Sequence, residues 1–442
     1  MTERKEAERI PFATVVGAGI GGLAAAVLLA RSGTQVEVIE ASDEAGGLIA
    51  PIHFDGLPCD RGSHRIHPSA HPLLQELTAQ AQWRTRPRQG RLVLGGRLLP
   101  YPPDPVSFLS GLGVKDSARM AIGWLRRPEM LRRVSRWEAE RTDESDDEGF
   151  EAFVLARVGR AAYERFYQPY ATKVWGVDPQ TLSRSVAKQR VSTSNPLPSI
   201  LGLTRREYLY PEGGMASLID VLLEKARHYG VEMRLGERYE PDTKETRPVF
   251  FSGHLGDLAP EAGLSHRGLY LIHLSVPREA VGEVDTWYSP EASFWFGRVS
   301  QPAEFTRSFT RADRTVLCLE IPEGSWGRDQ DFIARIDVLI DQLREAGVLN
   351  RIVQPIEAKQ TFLPRIYPMY LRNWTSQWNK AMNHVAALGN VYPFGRQGLF
   401  LHCNMDQSVQ TASDAVEHVV THANSRLWAE KCQGYLGFRV RD

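Results

Sequence analysis

Three glycines near the head of the chain, Gly17-x-Gly19-x-x-Gly22, separate an apolar run ending at Val16 from a helix-forming stretch of small residues. A second apolar run then ends on Glu40, and a Gly46-Gly47 pair follows. Strand, glycine turn, helix, strand and acid in that order suit a dinucleotide. Gly17 permits the tight turn, Gly19 lets backbone approach a pyrophosphate, and Gly22 lets the helix pack against the sheet. The helix N-terminus presents free N–H groups and a positive dipole end to the phosphates. Glu40 is placed to accept hydrogen bonds from the adenosine ribose hydroxyls. A 2′-phosphate would be repelled there, which disfavours NADP.

Four further clusters carry chemistry. Asp60-Arg61-Gly62-Ser63-His64-Arg65-Ile66-His67 offers histidines whose protonation lies near neutral pH, or a turn with structural hydrogen bonds. Gly395-Arg396-Gln397-Gly398 leads to Asn404-Met405-Asp406-Gln407-Ser408 at the start of a predicted helix, where Arg396 could pair a phosphate or carboxylate and Asp406 and Ser408 could cap the helix. Tyr170-x-x-Lys173-Val174-Trp175-Gly176 reads either as one wall of a polar-substrate pocket or as a packed helix face. Tyr367-Pro368-x-Tyr370 supplies two tyrosines that face a pocket or the core. Cys403 reads as a buried, inert thiol.

Taken together, these motifs resemble the FAD-dependent superfamily of amine oxidases, protoporphyrinogen oxidases and UDP-galactopyranose mutases, and they run in that superfamily's order from Val15 to Ser408. The Gly46-Gly47-Leu48 triplet after Glu40 shifts the expected cofactor from NAD to FAD. The His64 segment resembles a histidine loop lying against the isoalloxazine, which implies that His64 sits near flavin N5 with Gly62 allowing close approach. The Gly395–Ser408 stretch resembles the C-terminal flavin motif, implying contacts from Asn404, Met405 and Asp406 and a catalytic position for Arg396. The same resemblance implies a substrate side formed by Lys173, Trp175, Arg190, Arg298, Tyr367 and Tyr370. Around Arg298 the chain departs from the mutase pattern: Gln301 and Ala303 replace a glutamate and a lysine. A second departure is the short polar link Glu237–Arg247, where the family usually carries a longer hairpin against the adenine.

These groups need elements to hold them. A single βαβ unit is not a domain, so later segments must complete its sheet. The expected fold is α/β: a discontinuous Rossmann-type FAD-binding domain from residues 1–87, 182–258 and 385–442, with an inserted α+β substrate domain from 88–181 and 259–384. The periodicity predicts a helix ending at Gly230 and strands VEMRL, PVFFSG and NVYPFG for the first. For the second it predicts strands GLYLIHLSV and TVLCLEI, a helix over DFIARIDVLIDQLREAG, and a mostly helical 88–181.

Composition bounds the rest. With 442 residues, 42% of them hydrophobic, and 53 basic against 53 acidic side chains, no global field recruits nucleic acid. The basic amphipathic stretch 119–137 suggests membrane contact only weakly, because its acids and Pro128 interrupt it. Asp143–Glu148 reads as a solvated acidic loop. The charged start of the chain and four scattered cysteines suit the cytoplasm. No second glycine fingerprint suggests a dedicated NAD(P)H domain. The expected function is an FAD-dependent oxidoreductase moving hydride from a polar small molecule to flavin N5. The alternatives are a redox-neutral, reduced-flavin mutase or isomerase of a nucleotide sugar, in which Arg190 and Arg298 hold the diphosphate, and a flavin-binding protein without turnover. The oligomeric state is open.

Overall fold

The structure, a computed structural model, describes residues 10–101, 112–126, 149–190, 207–241, 246–324 and 330–440. At its base lies a five-stranded parallel sheet. Phe12–Val16 is central, flanked by Gln35–Glu40 and then Glu232–Leu235 on one side, and by Val249–Phe251 and then Val391–Pro393 on the other. Strands this apolar survive only when covered on both faces. Ala13 and Val15 are accordingly fully buried. Helices Ile20–Arg31, Ala216–His228 and Met405–Thr421 are among the elements packed around the sheet.

The helix Ile20–Arg31, IGGLAAAVLLAR, is buried almost along its whole length, so a one-sided apolar stripe would not serve it. Its small residues let neighbours come close. A Cβ on Gly21 would stand 3.4 Å from the Ser408 carbonyl of the Met405–Thr421 helix. Within the sheet, the buried Thr14 hydroxyl donates to Glu37 Oε1 at 2.8 Å, and Arg234 Nη1 donates to Glu37 Oε2 at 3.2 Å. A buried carboxylate is thereby satisfied.

A seven-stranded mixed sheet stands beside the first. Its order is Glu357–Pro368, His266–Pro277, Arg314–Pro322, Arg298–Ser300, Thr286–Tyr288, Gly90–Leu94 and Arg97–Tyr101. Neighbours are antiparallel except Thr286–Tyr288 with Gly90–Leu94. Its core face, with Ile272, Leu274, Leu317 and Leu319, packs with Leu339, Ile340 and Leu343 of the helix Ile336–Glu345. The expectation of a mostly helical 88–181 needs correcting at its start. Gly95 and Gly96, both at positive φ, turn the chain into a hairpin that extends this sheet. Helices follow at Val114–Leu125, Phe150–Val158 and Gln168–Trp175, the last entered through a π-helical turn at Tyr163–Tyr167.

Arg119 and Arg126 of the basic stretch are exposed, while 127–137 and the acidic cluster at 143–148 lie outside the described residues. No helix among the described residues is long and apolar enough to cross a membrane.

A Cβ on Gly22 would lie 1.8 Å from the Gly17 carbonyl oxygen, so Gly22→Ala must push the helix off the turn. The expected loss is about 3 kcal/mol or more in urea unfolding, and an unchanged transition would refute the packing described. His273 is fully buried on the strand His266–Pro277, and burial lowers its pKa from 6.5 to about 4. As pH falls below about 6.5, the unfolded chain binds a proton that the folded one refuses. Between about pH 7 and pH 4, His273 should remove on the order of 3 kcal/mol of stability. His273→Gln should flatten that acid limb of the unfolding free energy.

Candidate functional site

The glycine turn is built by steric demands that its three glycines meet differently. Gly17 has φ +95°, and a Cβ there would fall 2.4 Å from Ser252 Oγ. Ser252 closes the turn from the neighbouring strand, its N–H and hydroxyl both donating to the Val16 carbonyl at 2.9 and 2.7 Å. Gly19 is different. Its φ of −73° and ψ of 179° suit any residue, and no protein atom lies within 4 Å of where its Cβ would be. Nothing in the protein itself requires glycine there, so the open space points to a bound group. Gly46 bridges to Gly19 and its N–H donates to the Ala18 carbonyl at 2.9 Å, while a Gly47 Cβ would meet Gly19 Cα at 3.3 Å.

Glu40 is fixed at its strand end. Its Oε2 accepts from Ala18 N–H at 2.7 Å, and its Oε1 accepts from the Ser42 N–H and hydroxyl at 2.9 and 2.7 Å. Each oxygen keeps further accepting capacity.

From this turn a cavity of about 1040 Å³ runs between the two sheets. Volumes for small-molecule sites are roughly 300–1,000 Å³, so it is large enough for a dinucleotide together with a small substrate. Gly17, Gly19, Gly22, Glu40, Gly46 and Gly47 line one end, and Gly62, His64, Arg298, Tyr367, Arg396, Asn404 and Met405 line the other. Gly395 also faces it with nothing within 4 Å of its Cβ position. The N-terminus of the helix Met405–Thr421 opens onto the same space, stabilised by a capping box between Asn404 and Gln407. Glycine cradles that a Cβ would fill and a helix N-terminus together fit FAD.

His64 has one tautomer open to it. Its Nε2–H donates to the Arg61 carbonyl at 2.9 Å, which leaves Nδ1 with the lone pair. Burial depresses its pKa, against the opposing pull of Asp60, so the ring is neutral. Beneath the loop, Asp60 is buried, accepting from the Tyr210 hydroxyl and, at 3.0 Å, from Met215 N–H; burial raises its pKa.

Glu320 ties this loop to the second sheet. Arg298 donates to it bidentately, Nε to Oε1 at 2.8 Å and Nη2 to Oε2 at 2.6 Å, and Ser63 N–H donates to Oε1 at 2.9 Å. A Cβ on Gly62 would come within 3.2 Å of Oε1, so glycine keeps the loop close to the carboxylate. Arg65 braces the same loop through Asp285 at 2.7 Å and the Tyr288 hydroxyl at 3.1 Å, its guanidinium lying over the Tyr208 and Phe305 rings. Arg396 donates to the Cys403 and Ile366 carbonyls, both at 3.1 Å, joining the C-terminal motif to the strand Glu357–Pro368.

Several predicted site residues lie elsewhere. Tyr370 is fully buried: its hydroxyl donates to the Phe400 carbonyl at 3.0 Å, and its ring stacks on Trp374 at 3.8 Å. The chain leaves its strand at Pro368, which turns Tyr370 into the core while Tyr367 stays on the cavity wall. Trp175 is also buried, its ring edge-on to Tyr367 and His402 at 5.8 and 5.2 Å. Lys173 donates to the Ser289 and Phe296 carbonyls at 3.0 and 3.1 Å, and burial lowers its pKa to about 7. It thus pins the loop before Arg298 from behind rather than lining the cavity. Asp406 points away and accepts from His71 N–H at 2.9 Å. Arg190 ends the helix Arg184–Arg190, and its side chain lies outside the described residues.

Other residues line the cavity without having been singled out. Arg61 donates to the Gly47 carbonyl at 3.1 Å. Asp257 binds Arg365 through contacts of 2.6 and 3.3 Å. His254 packs edge-on against His266 at 4.9 Å, and burial with nearby arginines lowers their pKa values to about 3 and about 4. For Glu320, the available signal was an acid inside the apolar run TVLCLEI. The partners of Arg365 and His254 are remote in sequence and left no such trace.

The contrast between Gly22 and Gly19 is testable. Gly19→Ala adds a carbon with no protein atom within 4 Å and keeps an allowed backbone, so the cofactor-free variant should unfold within about 1 kcal/mol of the parent. It should nevertheless retain little FAD, measured as flavin absorbance per protein after purification. Full retention of FAD would show that the cofactor does not approach this turn.

Comparison with known proteins agrees with this geometry. Residues 20–240 match the family model described as flavin containing amine oxidoreductase. A chloroplastic protoporphyrinogen oxidase of Nicotiana tabacum is 27% identical over 184 residues, covering 40% of this chain and 31% of the relative. A putative flavin-containing monoamine oxidase of Mycobacterium tuberculosis is 31% identical over 192 residues, covering 42% of each. The matches therefore span less than half the length of these relatives. Among solved structures, a reduced UDP-galactopyranose mutase superposes with a TM-score of 0.79 at 19% identity, covering 97% of this chain and 100% of that one. The glycine-lined cavity, the matched half of the chain and the shared fold lead to one assignment: the chain belongs to the flavin containing amine oxidoreductase family, with FAD as its cofactor.

Proposed function

We propose that this flavoenzyme oxidises a neutral or anionic polar small molecule at a carbon bearing oxygen or nitrogen. The observation carrying this reading is the wall formed by His64, Arg298 and Glu320. Glu320 is already held bidentately by Arg298, so the wall offers a proton acceptor and hydrogen-bond donors but no free carboxylate for a cationic amine. In this reading, 1–87, 182–258 and 385–442 form the cofactor domain, and 88–181 and 259–384 form the substrate domain.

When bound, FAD would supply the two-electron acceptor for hydride, with dioxygen or another external oxidant to regenerate it. The protein's part is to orient the substrate and move a proton. Tyr367 and Arg298 hold the polar group, and His64 takes the hydroxyl or amine proton at Nδ1 as the C–H bond breaks. Gly62 keeps that ring close to the reacting carbon. Arg396 holds Cys403, and with it the start of the Met405–Thr421 helix, in place.

A second reading rests on Arg298 and on the fold shared with a mutase. There the chemistry is redox-neutral on a nucleotide sugar, with Arg298 and Arg190 gripping the diphosphate.

Anaerobic mixing with alcohols, amines, porphyrinogens and UDP-sugars separates the two. Bleaching of the oxidised flavin band by one class supports the oxidoreductase. Sugar isomerisation seen only after dithionite reduction, with no bleaching by any class, supports the second reading. For the oxidoreductase, His64→Gln should lower kcat/KM by about 10²–10⁴-fold. Because burial depresses the His64 pKa, the parent's acid limb should lie below the ~6.5 of an ordinary imidazole and vanish in the variant.

A further inference from the structure

Arg61 occupies a place that its protein neighbours explain incompletely. Its guanidinium crosses from the histidine loop to the glycine pair, Nη1 donating to the Gly47 carbonyl at 3.1 Å and Nη2 to the Glu44 carboxylate. Gly47 abuts Gly19, with 3.3 Å between the Gly47 Cβ position and Gly19 Cα. The charge therefore sits next to the turn whose open space and helix N-terminus suit a diphosphate. Arg61 lines the cavity itself, and its Nε is buried with no hydrogen-bond partner.

Glu44 is a poor final partner. Its side chain is 53% exposed against 21% for Arg61, and an exposed ion pair of this sort contributes little. A diphosphate offers several oxygens to a planar guanidinium fork and carries more charge. We propose that Arg61 is a cofactor-binding residue that exchanges the Glu44 carboxylate for the FAD diphosphate. Glu44 thus keeps the side chain poised across the cavity mouth until the cofactor arrives. The same residue reaches the catalytic wall through its backbone, because the Arg61 carbonyl accepts the His64 Nε2–H. Diphosphate binding then fixes the loop that orients His64.

The test uses full-length protein stripped of flavin and titrated with FAD, following quenching of flavin fluorescence. It does not depend on the substrate. Arg61→Ala should raise the Kd at least about tenfold, the size of a lost charge-assisted bond. Glu44→Ala, which removes the competing carboxylate, should leave the Kd unchanged or lower it by up to about fivefold. Thermal unfolding of both cofactor-free variants checks the fold, and Arg61→Gln gives the same reading if the alanine variant does not fold. A Kd for the arginine variant within about tenfold of the parent overturns the proposal. So does weakening by Glu44→Ala as large as that by Arg61→Ala, because a mere brace between two loops fails equally from either end.

Discussion

The contact between Gly22 and the Gly17 carbonyl governs the rest of the molecule. With no side chain at Gly22, the helix Ile20–Arg31 can start directly over the turn that ends the central strand. That closeness aims the helix N-terminus into the cavity, and the neighbouring Gly21 brings the same helix against the Met405–Thr421 helix, its Cβ position 3.4 Å from the Ser408 carbonyl. Both ends of the cofactor cavity inherit their positions from it. Ser252 completes the arrangement from the next strand, satisfying the carbonyl that the turn would leave exposed.

A second constraint joins the two sheets. The loop Asp60–Ile66 leaves the parallel-sheet side and is gripped by groups from elsewhere: Tyr210 and Met215 on Asp60, Glu320 on Ser63, and Asp285 and Tyr288 on Arg65. These bonds bury charge, which is tolerable because each charged group meets an opposite or hydrogen-bonding partner. The consequence is a neutral His64 held at the cavity wall while its neighbours are anchored outward. Such a wall has little freedom to reorganise, which suits a site that must hold reacting groups in one geometry.

Much of this was legible from residues alone. The fingerprint placed Gly17, Gly19, Gly22, Glu40, Gly46 and Gly47 around one cavity because a glycine turn is a local object, specified by neighbours within about thirty residues of chain. The parallel strands and the helix ending near Gly230 were likewise readable from apolar periodicity. The hairpin Gly90–Tyr101 departs from the helical expectation for 88–181, because its second strand finds its partner across the Gly95-Gly96 turn and both join a sheet built from distant residues.

Side-chain direction on the substrate side was not legible. Tyr367 and Tyr370 stand three residues apart, yet one lines the cavity and the other stacks on Trp374 in the core, since the chain leaves its strand between them. Lys173 and Trp175 share a helix whose inward face is set by carbonyls and rings from distant segments. Glu320 and Arg298 meet only because two strands pair, Arg298 opposite Glu320. The sequence by itself determined the cofactor class, because phosphate recognition is built from backbone and a short run of glycines. The tertiary structure alone decided which charged and aromatic side chains face the substrate, because that choice depends on strand register and long-range packing.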